Sequence, residues 1–116
     1  MRKGKYNIAP KSQRTLKGVT YMSKLEMRYR KHLDLLTKAS GNDKVLSIKE
    51  QVPFPIIING ITCFKYLLDF EVQYPNRVEY VDTKGIKGGT DVYRIKKKCV
   101  EAQYNIKIKE VYDKDF

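Results

Sequence analysis

Cysteine, histidine and long apolar runs are all scarce in this sequence, and each shortage excludes a class of protein. Cys63 and Cys99 lack the spacing of metal-binding pairs, and His32, the single histidine, has no partner at ligand spacing. A zinc site is therefore not expected, His32 is predicted to be solvated, and the cysteines are predicted to be reduced thiols of a cytoplasmic protein. No apolar run could span a membrane, and the basic start MRKGKYNIAPKSQR lacks the apolar stretch of a signal peptide.

Negative charge is also in short supply. The 116 residues include 24 Lys and Arg but only 13 Asp and Glu, a formal net charge of +11. Such an excess on one small domain favours a polyanionic partner, and nucleic acid is the common one. Charge alone does not separate a nuclease from a ribosomal protein or a passive nucleic-acid binder.

The basic residues begin in a polar lead over residues 1–20, before the first acidic side chain, Glu26. We interpret this lead as a basic N-terminal arm, followed by a single domain over residues 21–116. Two readings of the arm stay open: a flexible segment that touches phosphates, or a solubilising tail. Arg14 and Lys17 are its candidate DNA-binding residues.

A helix is predicted from Ser23 to about Lys38, because apolar residues recur there at spacings of three and four. Ser23 and Glu26 form a capping-box pattern, in which Glu26 reaches back to the first turn. Glu26 also borders the apolar face that packs on the sheet, where its carboxylate would be a third acidic group. The sequence leaves both roles open. The predicted apolar stripe is Met22, Leu25, Tyr29, Leu33 and Leu36.

Strands follow the helix. Residues 45–54 read as a strand limited by Pro53 and Pro55, and Asn59-Gly60 is a strong hairpin signal. In the strand that follows, alternation predicts one face made of Phe64, Tyr66, Leu68, Phe70 and Val72.

A second hairpin is predicted at Pro75-Asn76, which form a favourable turn pair. Counting outward from this turn, Asp69 falls opposite Asp82, with Cβ atoms roughly 5 Å apart. Two carboxylates at that distance repel each other, and a divalent cation between them would reverse the sign of the interaction. Lys84 lies two residues along the same face. A slip of one residue in the register would put the carboxylates on opposite faces.

Beyond Lys84, the segment GIKGGT is predicted to be a turn, and Thr90 to cap a helix from Asp91 to about Gln103. Its predicted buried stripe is Val92, Ile95, Cys99 and Ala102. The basic residues Lys87, Arg94, Lys97 and Lys98 form either a solvated surface or a phosphate-binding face. Residues 106–111 are predicted to be an edge strand. The order α-β-β-β-α-β predicts an α+β domain, a mixed sheet flanked by two helices.

Asp69, a gap, and then Asp82-Thr83-Lys84 resemble the signature of PD-(D/E)XK nucleases, with Glu26 on the preceding helix. The order is most similar to archaeal-type Holliday junction resolvases and to a family of small phage proteins thought to act likewise. The phage resemblance covers Val19 to Val111 and includes SKLE, LLDFEV and VDTKG. One departure is Leu68, where the signature has proline.

The resemblance implies a restriction-endonuclease-like α/β/α fold and a Mg²⁺- or Mn²⁺-dependent crossover junction endodeoxyribonuclease. Asp69, Asp82, the Thr83 carbonyl and Glu26 would bind the metal, and Lys84 would orient the attacking water or offset negative charge. The implied substrate is a four-way DNA junction, cut by a homodimer, phage-encoded and acting in the host cytoplasm. Two alternatives stay open: a non-catalytic nucleic-acid-binding module, and a nuclease of this fold acting on flaps, nicks or duplex DNA.

Overall fold

The computed structural model describes residues 8–85 and 89–116, so that Lys87 of the predicted basic face lies outside the described residues. It is an α+β fold with a mixed four-stranded sheet and two helices, as predicted. The elements are β1 (Thr15–Leu16), β2 (Val19–Thr20), α1 (Lys24–Leu36), β3 (Ser47–Ile58), β4 (Ile61–Tyr74), β5 (Arg77–Thr83), α2 (Asp91–Tyr104) and β6 (Ile108–Val111).

Local capping signals set the starts of both helices. The Ser23 hydroxyl accepts a hydrogen bond from the Glu26 backbone amide at 3.0 Å, and the Thr90 hydroxyl accepts one from the Tyr93 amide at 3.1 Å. Each bond satisfies an amide that the first helical turn leaves without a partner. Asn105 ends α2 in the left-handed conformation, with φ of 54°. Neither helix has the length and apolar character needed to cross a membrane in the described part of the chain.

The sheet has the strand order β3-β4-β5-β6, antiparallel except for the parallel pair β5 and β6 that α2 connects. Asn59 and Gly60 turn β3 into β4 with φ of 51° and 78°, as the hairpin signal predicted. β3 runs further than predicted, through Pro53 and Pro55. It is an edge strand, where a residue without an amide hydrogen is tolerated. The predicted edge strand β6 lies at the other side.

The second hairpin has the predicted register. Tyr74 pairs with Arg77, and the ladder continues to Phe70 opposite Val81. Asp69 and Asp82 are the next residues along this register.

The apolar side chains of β4 enter two separate cores rather than one face. Phe70 and Val72 pack with Tyr29 and Leu33 of α1, and Tyr66 and Leu68 pack with Val100 of α2. The prediction of a single face was therefore wrong. The change occurs at Asp69, opposite Gln51, whose φ of 51° departs from extended backbone. Leu33, Leu68 and Phe70 are fully buried, which stabilises the fold by roughly 1.5–3 kcal/mol for each side chain.

The buried faces of both helices also differ from prediction. Met22 lies before the start of α1 and is exposed, and on α1 Glu26 is buried beside Tyr29 and Leu33. On α2, Val92 and Ile95 are exposed, while Tyr93, Val100 and Tyr104 contact the core. The tyrosine rings bury more surface than the aliphatic stripe would, and their hydroxyls donate to Glu110 and to the Pro55 carbonyl.

His32 is partly buried rather than solvated. Its ring lies 5.8 Å from that of Tyr29 and 5.3 Å from that of Phe116, measured between centroids. Burial, with the nearby charge of Lys109, lowers the pKa of His32.

Candidate functional site

Glu26 points its carboxylate into the protein. The side chain is buried, with 3 % of its surface exposed, and its Oε2 accepts a hydrogen bond from the Gln51 side-chain amide at 2.9 Å. The Ser23 hydroxyl caps the first turn of α1 by accepting from the Glu26 backbone amide, while the Glu26 carboxylate itself accepts from Gln51 of β3. Glu26 therefore faces the sheet, as the second of its two predicted roles requires.

Asp69 and Asp82 lie together at the end of the β4–β5 ladder. The Asp69 backbone amide donates to Asp82 Oδ1 at 3.1 Å. In return, the Thr83 backbone amide and hydroxyl each donate to Asp69 Oδ2 at 2.9 Å. These bonds hold the Asp69 and Asp82 side chains next to each other on the two neighbouring strands, which confirms their predicted proximity.

Gln51 connects the two halves of the carboxylate cluster, which we define as Glu26, Asp69 and Asp82. Its amide nitrogen lies 2.9 Å from Glu26 Oε2 and 3.5 Å from Asp69 Oδ1. The amide thus supplies partial positive charge between two acidic groups. Sequence reasoning missed Gln51, because its position depends on a left-handed backbone conformation inside a strand that no neighbouring glycine or asparagine signals.

Burial raises the pKa of every member of the carboxylate cluster, and repulsion by a neighbouring carboxylate adds to this effect at Glu26 and Asp82. Burial, and then the charge of Asp69, raises the pKa of Glu26 to about 7. Burial is also the main cause of the raised pKa of Asp69 and of Asp82, and the negative charge of Asp69 adds to the effect on Asp82. The cluster therefore holds more negative charge than its surroundings compensate, so it favours either protons or a cation.

Tyr66 closes the cluster on the α2 side. Its hydroxyl donates to Asp82 Oδ2, and burial next to Asp82 raises the pKa of Tyr66 far above its ordinary value. Tyr66 therefore remains protonated and keeps Asp82 oriented.

Lys84 is held beside the cluster by Tyr93. Its Nζ lies 3.4 Å from the centroid of the Tyr93 ring, and its charge lowers the pKa of both Asp69 and Asp82. The Tyr93 ring in turn lies against Gly89, where a Cβ atom would come within 2.4 Å of Cδ2. Lys84 thus approaches the carboxylate cluster from α2.

The donor chemistry of the cluster fits a hard divalent cation, because carboxylate oxygens from three elements are the ligands that Mg²⁺ prefers. In this structure the three carboxylates accept hydrogen bonds from neighbouring protein groups. Asp82 accepts from Tyr66 and Asp69, and Gln51 bridges Glu26 and Asp69. Accordingly, in residues 8–85 and 89–116 no three His, Cys, Asp or Glu side chains are already placed to hold a metal.

Most of the predicted DNA-binding residues make contacts within the fold. Arg14 donates to the carbonyls of Ala9 and Tyr21, and Lys17 lies 3.7 Å from Asp34. On α2, Arg94 pairs with Asp91, Lys97 pairs with Glu110 at 3.1 Å, and Lys98 is exposed.

Comparison of the chain with protein-family models, curated proteins and solved structures gives no match. The resemblance to PD-(D/E)XK nucleases therefore depends on the residues and the geometry described above, and it stays a prediction.

Proposed function

We propose that the protein is a metal-dependent DNA endonuclease of the PD-(D/E)XK type that cleaves Holliday junctions. One observation carries the proposal: Glu26 of α1 and Asp69 of β4 meet at Gln51, and Asp82 of β5 adjoins Asp69. Lys84 lies at the border of this cluster. Buried acids with raised pKa values reduce the stability of a fold, and such clusters are typical of functional sites. The separate cores of α1 and α2 also support a restriction-endonuclease-like α/β/α fold.

Glu26, Asp69 and Asp82 are the residues that would hold Mg²⁺ or Mn²⁺, with the Thr83 carbonyl as a further ligand. When bound, the metal supplies Lewis-acid stabilisation and a water of lowered pKa. The chain contributes orientation: the Thr83 amide and hydroxyl hold Asp69 Oδ2, and the protonated Tyr66 hydroxyl holds Asp82 Oδ2. Lys84 Nζ would offset the negative charge that develops on the phosphate during hydrolysis.

The proposed substrate is a four-way DNA junction, and the proposed unit is a homodimer that cuts opposed strands. The excess of 24 basic over 13 acidic residues supports a polyanionic partner. A phage-encoded protein acting in the host cytoplasm fits this activity.

The test compares binding and cleavage of four-way junctions by Asp82→Asn and Lys84→Ala. Both variants should bind junctions nearly as well as wild type and lose cleavage by about 100-fold or more. Matched controls are Asp43→Asn and Lys107→Ala, whose side chains lie outside the carboxylate cluster and should leave cleavage unchanged. Cleavage retained by purified Asp82→Asn, or undiminished in a chelator, would contradict the proposal.

A non-catalytic DNA-binding module is the second candidate. It is favoured by the hydrogen bonds that already occupy both carboxylate oxygens of Asp82. Incubating the purified protein and Mg²⁺ with junction, flap, nicked and linear duplex DNA in parallel separates the two. Binding without cleavage of any substrate would select the module, and cleavage of flaps, nicks or duplex alone would select a related nuclease.

A further inference from the structure

We infer that a groove beside Lys84 binds the sugar-phosphate backbone of one DNA strand as it leaves the carboxylate cluster. This inference rests on the proposed function, because it assigns the path of the DNA through that same site. The groove lies between the N-terminal turn of α1 and the chain that follows β6. It consists of two adjoining cavities, of 470 Å³ and 380 Å³. The cavities share Leu25 and Asp113, and the further lining residues are Lys24, Arg28, Lys84, Gly85, Tyr112 and Lys114.

The charge of this groove fits a polyanion. Among the described residues, its lining has four cationic side chains and one carboxylate, Asp113, which pairs with Arg28. Lys24 and Lys114 are exposed, and neither forms an ion pair with any residue that the structure describes. Their charges are therefore available to phosphates.

This availability distinguishes Lys24 and Lys114 from three of the basic residues that the sequence analysis assigned to DNA. Arg14 is engaged with the backbone, Lys17 with Asp34, and Lys97 with Glu110. Moving those side chains to phosphates would break contacts within the fold, whereas Lys24 and Lys114 would lose no ion pair. Together with the cavities, these free charges place the inferred DNA track on the α1 side of Lys84.

The shape and surface of the groove also fit a nucleotide chain. Each cavity falls within the range of pockets that hold small molecules, roughly 300–1,000 Å³, so each has room for a nucleotide. Leu25 and the Tyr112 ring add apolar surface for sugars and bases. Hydrogen bonds hold Tyr112 in place: its hydroxyl donates to Glu110 at 3.1 Å and its amide to Asp115 at 2.8 Å.

Continuity with the site sets the direction of the track. Lys84 lines the larger cavity and directly follows Thr83, whose amide and hydroxyl both donate to Asp69 Oδ2 of the carboxylate cluster. A strand with one phosphate at the cluster therefore passes Lys84, then Tyr112 and Lys114, and then reaches Lys24 and Arg28 of α1.

The experiment measures binding of a fluorescent four-way junction and a fluorescent single strand by anisotropy, in a chelator and over a range of salt concentrations. The variant is Lys24→Glu combined with Lys114→Glu. The control, Lys107→Glu with Lys38→Glu, makes the same charge change at two exposed lysines outside the groove. The groove variant should bind both DNAs at least about 10-fold more weakly than wild type, and the slope of log affinity against log salt concentration should fall in magnitude by about 2. The control variant should lose much less affinity.

A second measurement uses the wild-type protein, so that it does not depend on the folding of a variant. Ultraviolet crosslinking to a strand carrying 5-iodouracil should modify Tyr112. Equal losses in the groove variant and the control, or crosslinks confined to α2, would overturn the inference. Because binding is measured without metal, an inactive protein that still binds through the groove would refute the proposed nuclease alone. If the wild-type protein cleaves DNA but the groove variant binds DNA as tightly as wild type, the groove alone would be refuted.

Discussion

Replacing Glu26 by glutamine should stabilise the protein, and the gain should grow with pH. The substitution keeps the size of the side chain and an oxygen that accepts from Gln51, but it removes the buried charge next to Asp69. That charge is unfavourable in the folded state, where burial and Asp69 raise the pKa of Glu26 from 4.5 to about 7.

The sign follows from proton binding in the two states. Between pH 4.5 and about 7 the folded protein retains on Glu26 a proton that the unfolded chain has lost. Stability is therefore highest below the unfolded pKa and falls as pH rises through the folded pKa. From these two pKa values, ionisation of Glu26 lowers the free energy of unfolding by roughly 1 kcal/mol at pH 5 and roughly 3 kcal/mol at pH 8.

This pH dependence is measured by unfolding wild type and Glu26→Gln with urea at pH 5 and pH 8 in the presence of a chelator. Circular dichroism monitors the unfolding. The gain of the variant should be about 2 kcal/mol larger at pH 8 than at pH 5. Glu71→Gln is a matched control, because Glu71 is partly exposed and lies 3.7 Å from Lys49, so its removal should change stability by about 0.5 kcal/mol or less. An equal gain at both pH values, or a loss at pH 8, would refute the assigned burial and repulsion at Glu26.

Three further outcomes are expected. Tyr66→Phe should lower the free energy of unfolding, measured with urea at pH 8, by about 1–3 kcal/mol, because the buried Asp82 carboxylate loses a hydrogen-bond donor. An unchanged urea midpoint would mean that this bond is absent in solution. Gly89→Ala should lower the free energy of unfolding by about 1–3 kcal/mol in the same assay, since the φ of Gly89 is 69° and a Cβ atom there would lie 2.4 Å from Tyr93 Cδ2. A variant as stable as wild type would contradict this geometry. Millimolar Mg²⁺ or Mn²⁺ should raise the melting temperature of wild type at pH 8 and do so much less for Asp82→Asn, whereas equal shifts would separate metal binding from the carboxylate cluster.

Features that depend on adjacent residues were predictable from the sequence. Ser23 and Thr90 cap their helices, and Asn59-Gly60 forms its hairpin, because each requires only a side chain or a backbone conformation available locally. The register from Pro75-Asn76 followed from the turn, and it brought Asp69 and Asp82 together as expected.

Features that depend on competition between faces were not predictable. α2 has two apolar stripes, and only packing against the sheet selects Val100 over Val92 and Ile95. The positive φ of Gln51, which changes the side on which β4 side chains pack, follows from tertiary contacts. For the same reason, the sequence could not predict the contacts of Gln51 with Glu26 and Asp69 or the hydrogen bond from Tyr66 to Asp82.

The prolines of β3 have a consequence for how the protein behaves at high concentration. An exposed sheet edge is a template on which a second chain can add a strand, and growth of this kind leads to aggregation. Pro53 and Pro55 remove two amide donors from one edge, and the four-residue β6 at the opposite edge exposes Lys109. Both edges are therefore poor templates, so the domain is protected against strand-by-strand polymerisation.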